Sequence, residues 1–424
     1  MLQLDRIDAP QDVQESLFAE LTPYLQKLRS LRSSPSSDQP ELSITLPDLE
    51  DAVERNISLA ATYHDVELVF LVGIGGSNMG ALAVHQAVFG TQANLCRTPK
   101  LVPVDTVDGL LLAQTIQLLK AAIGMKQRVL IIVASKSGST TETVANAELL
   151  IEALVAAGGS MQESVIVISD AGSALYALAT KNQIPVVSSS KQVGGRYSVF
   201  SDVGLFPLAV LGIPIEEFIA GGRVALDAGL SDVYAANTAG QHAVAIVSSF
   251  RAHKPIHDLF CFSPSLELYG KWFRQLTGES VGKSATVGIV PTVSIGSTDL
   301  HSVVQLYLAG PDTTFTTFVR VKEHASAILP TTSVFASLVP NLEKQPLQRI
   351  SDAILDGTRH AYGEAGRTFC TATLQQLDAQ SIGEIMQQNM LTMMYIAHLL
   401  GVNAFDQPAV ELYKQETRRL LQQV

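Results

Sequence analysis

Short apolar stretches alternate with longer helix-forming stretches over the first half of the chain. The run "ELVFLVGI" predicts a buried strand, and "NMGALAVHQAVFG" predicts a helix that ends at a glycine. The pattern repeats with strands at "KLVPVD", "RVLIIVAS", "SVIVIS" and "IPVVSSS" and with helices at "LLLAQTIQLLKAAIG" and "TETVANAELLIEALVAAGG". Strands that are apolar on both faces and alternate with helices indicate a parallel sheet covered by helices.

A second series of this kind starts near Asn237. It contains helices at "TAGQHAVAIVSSFRA" and "LELYGKWFRQLTG", strands at "IHDLFCFS", "VGIVPTVSIG" and "FTTFVRV", and C-terminal helices from about Ile382 to Leu400 and from about Ala409 to Gln423. Residues 11–32 predict one or two amphipathic helices before a Ser/Pro-rich hinge, and a further helix is predicted from about Leu46 to Tyr63. We therefore predict an α/β fold with an N-terminal helical segment over residues 1–42. A first domain over 43–215 follows, and then a second domain with C-terminal helices over 216–424.

Composition and charge narrow the class of protein. Hydrophobic residues make up 47% and charged residues 16% of the 424 residues, which indicates a compact globular protein. The net charge of -11 argues against a nucleic-acid or acidic-membrane partner, so an anionic substrate needs a local positive pocket. Three widely spaced cysteines indicate a reduced, cytoplasmic protein without a cysteine metal site. We find neither the pattern of a signal peptide nor an apolar run long enough for a membrane span.

Two loops at predicted strand ends suit an anion. The first, "GIGGSNMG", resembles the dinucleotide fingerprint G-x-G-x-x-G, but Asn78 stands where its third glycine is required, which counts against an NAD-dependent oxidoreductase. The loop still presents Gly76, Ser77 and free backbone N–H groups at a helix N-terminus.

The second loop, "SKSGSTTET", begins the next helix. Ser135, Ser137 and Thr140 can donate hydroxyl hydrogen bonds, and Lys136 adds a positive charge. Ordinary turn and capping chemistry explains either loop alone. Both loops together favour a pocket that binds phosphate.

The stretch "GESVGKS" imitates a nucleotide-binding P-loop but lacks its spacing. Three residues separate Gly278 from Gly282, whereas the P-loop requires four, and the stretch follows a predicted helix instead of a strand. Glu279 therefore has no part in a P-loop. Without further information it is a solvated charge at a helix end.

Six segments in order resemble the glucose-6-phosphate isomerase family, in particular its shorter bacterial members. They are "LVGIGGSNMGA", "ASKSGSTTET", "VGGRYSVFSDVGLFPLAVLGI", "WFRQLTGESVGK", "GSTDLHSVVQLYLAGP" and "GVNAFDQPAVELYK". The resemblance implies two sugar-isomerase (SIS) domains, each a parallel sheet flanked by helices, in a homodimer with active sites at the subunit interface. It implies reversible isomerisation of glucose 6-phosphate and fructose 6-phosphate, in glycolysis and gluconeogenesis, without a cofactor.

The resemblance also assigns residues. The family's phosphate-binding positions are matched by Ser77, Ser135, Lys136, Ser137 and Thr140. Its catalytic positions and substrate contact are matched by Arg196 (stabilising the negative intermediate), Glu279 (the base), His301 (ring opening, from the partner subunit), Lys414 (the ring oxygen) and Gln407 (a substrate contact). Three departures, Asp202, Ala409 and Tyr413, remove no reacting group and put the pocket's shape in doubt.

The residue types suit that chemistry independently. A single carboxylate can remove a proton beside a carbonyl and return it to the neighbouring carbon through an enediolate. An arginine stabilises the negative oxygen, and a histidine can assist ring opening near neutral pH. The alternative is a non-catalytic sugar-phosphate-binding protein of the same fold, which would need the hydroxyl loops but not Glu279, Arg196, His301 and Lys414 together.

Overall fold

The computed structural model describes residues 2–36, 38–323, 327–331 and 334–423. They form two five-stranded sheets flanked by helices, which confirms the predicted α/β class. The strands are β1 (Gln3–Asp5), β2 (Leu68–Val72), β3 (Lys100–Val104), β4 (Val129–Ala134), β5 (Val165–Asp170), β6 (Val186–Ser189), β7 (Ile256–Cys261), β8 (Val290–Ile295), β9 (Thr314–Glu323) and β10 (Phe369–Gln376). Within this described part, no helix is both long enough and apolar enough to cross a bilayer.

The helices flank the two sheets, and the last of them lies near the C-terminal end of the chain. They are α1 (Gln11–Glu20), α2 (Thr22–Ser33), α3 (Glu50–Ala60), α4 (Met79–Phe89), α5 (Ala93–Cys96), α6 (Gly109–Gly124), α7 (Thr141–Ala156), α8 (Met161–Ser164), α9 (Ala174–Lys181), α10 (Asp202–Val210), α11 (Ile215–Gly229), α12 (Thr238–Arg251), α13 (Glu267–Val281), α14 (Val304–Ala309), α15 (Leu347–Glu364), α16 (Ala379–Leu399) and α17 (Val410–Leu421). The helix predicted from about Leu46 begins only at Glu50, because Pro47 lies in a preceding 3₁₀ stretch, Pro40–Asp48.

The first sheet has the order β3-β2-β4-β5-β6 and is parallel throughout. β2 and β4 are central neighbours, with Val72 opposite Val133, so both end at the same edge. Every residue of these two strands is buried. Continuous burial explains why their sequences are apolar without alternation.

The second sheet has the order β1-β10-β9-β7-β8. Its last four strands are parallel, whereas β1 pairs antiparallel with β10. The sequence pattern did not predict β1, β10 or α15. β1 has only three residues, which is too short to show a period, and β10 carries several polar side chains.

One hydrophobic cluster joins the two sheets. Val69 and Leu71 on one face of β2 belong to the same cluster as Leu259 and Cys261 on β7. The opposite face of the first sheet has its own cluster, which includes Phe70, and the outer face of the second sheet has another. α13 and α16 both pack against α4, so helices from the second half contact the first half directly. The loops at the strand ends of the two sheets are therefore held in fixed positions relative to each other.

Candidate active site

The two predicted anion loops lie side by side because β2 and β4 are adjacent. Gly73, the first residue after β2, lies next to the backbone carbonyl of Ala134, which is the last residue of β4. The loop after β4 reaches Thr140, the residue before α7. Ligands of open parallel sheets bind beyond the carboxyl ends of the strands, so these two loops lie where an anion is expected.

A third loop, which follows β6, packs directly on the first. A Cβ atom on Gly76 would lie 2.0 Å from the carbonyl carbon of Gly195, so only glycine fits at position 76. Lys136 in the second loop donates a hydrogen bond of 2.9 Å to the carbonyl of Val193 in the third. Three strand-end loops are thus in direct contact, and the third leads straight to Arg196.

The hydroxyl groups of the second loop are arranged around its turn. Ser135 is buried, and its Oγ lies 3.1 Å from Oγ1 of Thr140. Ser137 is exposed, and its Oγ accepts a hydrogen bond from the backbone N–H of Ser139. Ser77 on the first loop is half-buried. Burial lowers the pKa of Lys136, and the nearby charges of Arg196 and Lys191 add to this effect while Asp170 opposes it.

Arg196 is the most enclosed charged group of this region, with 1% of its side chain exposed. It sits in a short 3₁₀ helix, Gly195–Tyr197. Each of its three guanidinium nitrogens donates. The acceptors are Ser280 Oγ at 3.0 Å from Nε, Glu279 Oε2 at 2.9 Å and Gln407 Oε1 from Nη1, and the carbonyls of Ala404 at 2.6 Å and Asp406 at 3.2 Å from Nη2.

An arginine side chain has five N–H groups, so these five acceptors use its full capacity. The structure therefore brings Arg196, Glu279 and Gln407 together from three distant parts of the chain. The sequence-based roles of these three side chains remain predictions, but their proximity is observed.

Glu279 lies in the last turn of α13, with 29% of its side chain exposed. While Arg196 contacts Oε2, Gln275 one turn earlier donates to Oε1 at 2.9 Å. The Nζ of Lys283 donates to the backbone carbonyl of Glu279 at 2.7 Å and pairs with the carboxylate of Asp406 at 2.9 Å. Both carboxylate oxygens of Glu279 are thus held in place by hydrogen bonds. Lys283 links the C-terminal end of α13 to the segment that carries Gln407.

Sequence reasoning missed Gln275, Ser280 and Lys283. The spacing of Gln275 to Glu279 in "QLTGE" is a helical i, i+4 pair, which could have indicated their contact. Ser280 is buried, and its Oγ also lies 2.9 Å from the hydroxyl of Tyr197. No local sequence signal relates Ser280 to Arg196, because their contact arises only in the folded chain.

Within the described part of the chain, His301 and Lys414 do not belong to the group of contacting side chains around Arg196. His301 ends a short 3₁₀ helix after β8 and is exposed. Lys414 lies on α17, a helix without buried residues, and pairs with Glu411 at 2.9 Å. Across the described ranges, no hydrogen bond or ion pair joins either side chain to Arg196, Glu279 or Gln407.

The three departures from the family pattern have different surroundings. Asp202 begins α10 and accepts hydrogen bonds from Arg55 at 2.6 Å and from Asn56 at 2.8 Å. Its charge is therefore paired within the scaffold. Ala409 and Tyr413 are exposed, next to and within α17.

The sequence profile of phosphoglucose isomerase matches residues 40–302. That is more than half of the chain and includes Arg196, Glu279 and His301. The chain belongs to the phosphoglucose isomerase family. Gln407 and Lys414 lie outside the region 40–302 that the family profile matches. Their predicted roles in this phosphoglucose isomerase family member therefore depend on the motif "FDQPAVELYK" alone.

Similar proteins support this membership of the phosphoglucose isomerase family. The glucose-6-phosphate isomerase of Rubrobacter xylanophilus is 30% identical over 94% of this chain and 93% of its own length. A hypothetical protein of Thermus thermophilus has a structure that matches with a TM-score of 0.87, at 28% identity, over 99% of this chain and 100% of that protein. A glucose-6-phosphate isomerase of Chlamydia trachomatis shares the fold, with a TM-score of 0.83 at 18% identity over 99% of this chain and 88% of its own.

We expect Arg196→Lys to weaken both the fold and the active site. A lysine has three donors at one point and would leave buried acceptors unpaired, each at about 1–3 kcal/mol. The midpoint of urea unfolding should fall accordingly, and turnover of fructose 6-phosphate should drop by about 10²-fold or more.

The control is Arg55→Lys, since Arg55 also pairs with a carboxylate but its side chain is 54% exposed. That exchange should change the free energy of unfolding by less than about 1 kcal/mol. Equal unfolding midpoints for the two variants would contradict the role given to the buried arginine.

Proposed function

We propose that this chain interconverts glucose 6-phosphate and fructose 6-phosphate by moving one proton between the first two carbons of the sugar. The contact of Glu279 with Arg196, beside the hydroxyl-rich strand-end loops, carries the proposal. It combines a carboxylate, a permanent cation and an anion-binding edge of the sheet in one region. Membership of the phosphoglucose isomerase family supports the same reaction.

In this proposal Glu279 is the base. From fructose 6-phosphate its carboxylate removes a proton from C1, which leaves an enediolate. The C2 oxygen then gains a proton and the C1 hydroxyl loses one, and the carboxylate returns its proton to C2 to give the aldose. From glucose 6-phosphate it removes the C2 proton and returns one to C1. The hydrogen bonds from Gln275 and Arg196 orient both carboxylate oxygens, which keeps the base in one position through both transfers.

Arg196 stabilises the negative charge that develops on the enediolate oxygens through its own positive charge, because its N–H groups already have acceptors. Its guanidinium is fixed by its partners before substrate arrives. A preorganised cation in a water-poor site needs no rearrangement at the moment of reaction. Gln407, which also contacts this arginine, is placed to bind a sugar hydroxyl.

The phosphate group binds at the edge formed by the first two loops. Gly76 supplies a backbone N–H and Ser77 a hydroxyl before α4, and Ser135, Ser137 and Thr140 supply hydroxyls before α7. Lys136 adds a positive charge whose neighbours include Arg196. Phosphate contacts at this edge would hold the sugar with its reacting carbons toward Glu279.

We also propose that the active unit is a homodimer in which His301 acts in the partner's site. Exposure of His301 on one chain, without a described contact to Glu279 or Arg196, agrees with that arrangement. Lys414 lies on α17, which exposes Leu412 and Tyr413 beside it. In the proposal this helix closes over the sugar ring, bringing Lys414 to the ring oxygen.

The test of the base is Glu279→Gln, which keeps the size of the side chain and one acceptor oxygen but cannot accept a proton. General-base catalysis contributes about 10²–10⁴-fold, so turnover of fructose 6-phosphate, measured with and without a chelator, should fall by at least that factor. Glu279→Asp should lose less, because a displaced carboxylate is still a base. Glu267→Gln, in the first turn of the same helix, is the control and should retain turnover. Wild-type turnover in Glu279→Gln would refute the proposal.

The test of the shared site mixes two inactive proteins, Glu279→Gln and His301→Ala. If His301 acts across the interface, each mixed dimer contains one site with both wild-type residues, so subunit exchange should restore part of the activity. Exchange is verified by native mass spectrometry. Mixed dimers that form yet stay inactive would show that His301 acts within its own subunit or not at all.

A further inference from the structure

Lys283 is the second residue after the end of α13, and only 11% of its side chain is exposed. Its ammonium group donates three hydrogen bonds. The acceptors are the backbone carbonyl of Glu279 at 2.7 Å, the backbone carbonyl of Asp406 at 2.5 Å and the carboxylate of Asp406 at 2.9 Å. An ammonium group has three N–H donors, so this lysine uses all of them to join α13 to the segment after α16.

The end of this link at α13 is anchored in the core. The backbone N–H of Lys283 donates to the carbonyl of Val287 at 3.0 Å, so it does not continue the helix. The carbonyl of Glu279, four residues earlier, therefore lacks its helical partner and accepts from the ammonium group instead. Because Trp272 and Leu276 pack α13 into the hydrophobic core, this end of the link is fixed.

The other end of the link is more exposed. The side chain of Asp406 is 52% exposed, and α17 beyond it, described over its full length, has no buried residue. In the described part of the chain, the hydrogen bonds from other elements to Asp406 and to the side chain of Gln407 come from Arg196 and Lys283. The carbonyl of Asp406 accepts from both cations, at 3.2 Å from Arg196 and at 2.5 Å from Lys283. The position of Gln407 therefore depends on this lysine.

Stability alone does not explain the arrangement. An ion pair with a half-exposed carboxylate adds little to the free energy of unfolding. A lysine that only capped the end of α13 would need its bond to the carbonyl of Glu279 but no contact with Asp406. The contact with the backbone of Asp406 fixes the course of the chain just before Gln407.

We propose that Lys283 is a positioning residue for isomerisation, which holds Gln407 where it can bind a sugar hydroxyl beside Glu279. It touches neither the sugar nor the reacting carbons. By fixing the residue before Gln407, it places that side chain before substrate arrives, so no binding energy is spent on ordering the segment. This inference rests on the proposed function.

The first test is Lys283→Met, which removes the three donors and keeps the apolar stem. Since a small misplacement of a substrate contact is costly, kcat/KM for fructose 6-phosphate should fall at least about tenfold. Lys283→Arg keeps a positive charge and N–H donors, and should recover part of that loss. The control is Lys271→Met on the same helix, where the lysine pairs with the exposed Glu267 at 3.4 Å, and it should keep wild-type kcat/KM.

Thermal unfolding verifies that each of these variants is folded. Wild-type kcat/KM in Lys283→Met would overturn the proposal. So would a loss in Lys283→Arg as large as that in Lys283→Met.

A double-mutant cycle separates positioning from general support of the fold. In the Gln407→Ala background, which lacks the side chain that Lys283 positions, Lys283→Met should lower kcat/KM by less than about threefold. A lysine that only stabilised α13 would act independently of Gln407, and the two losses would multiply. The same loss from Lys283→Met in both backgrounds would overturn the proposal.

Amide hydrogen exchange on the full chain tests the link without turnover. The backbone N–H groups of Phe405 and Val410, on either side of Gln407, are both hydrogen-bonded. Their exchange should accelerate at least about fivefold in Lys283→Met and stay unchanged in the Lys271→Met control. Unchanged exchange in folded Lys283→Met would refute the link. Faster exchange in a chain whose wild type lacks isomerase turnover would support the link and refute the proposed function instead.

Discussion

The guanidinium of Arg196 lies in the protein interior and donates from all three nitrogens to acceptors on two other segments of the chain. A buried charge is stable only when its donors are paired, so the positions of these segments are linked. The loop after β6, the end of α13 and the segment after α16 must come together for the arginine to be satisfied. Glu279 and Gln407 are brought into contact with it by the same requirement. The geometry of the proposed active site is thus also a condition for the fold.

The rest of the fold brings these three segments into contact. Adjacent parallel strands β2 and β4 place two anion loops at one edge, and the close contact of Gly76 with Gly195 attaches the third loop, which leads to Arg196. The shared hydrophobic cluster and the packing of α13 on α4 fix the second half against the first. Catalysis and packing therefore depend on the same few residues.

The sequence predicted the buried strands and their loops well, because runs such as "RVLIIVAS" have a single physical explanation. It failed for β10, in which buried hydroxyl groups such as that of Thr371 interrupt the apolar pattern. Glu279 and Arg196 were predicted through family resemblance, and the structure brings them together. Ser280 and the carbonyl of Ala404 could not be predicted, since nothing local distinguishes a residue whose partner is distant in the chain. His301 and Lys414 remain predictions, because their expected partners include a second subunit or a moved helix.

The central claim is that a carboxylate moves a proton through an enediolate stabilised by Arg196. Its most direct test is isomerisation of fructose 6-phosphate in deuterated water, with the product examined by nuclear magnetic resonance. A proton held by Glu279 between the two transfers can exchange with solvent, so glucose 6-phosphate should carry deuterium at C2, increasingly so over many turnovers. Transfer as a hydride directly between the carbons would keep solvent out of the reaction. Product that remains free of deuterium at C2 after repeated turnover would contradict this account.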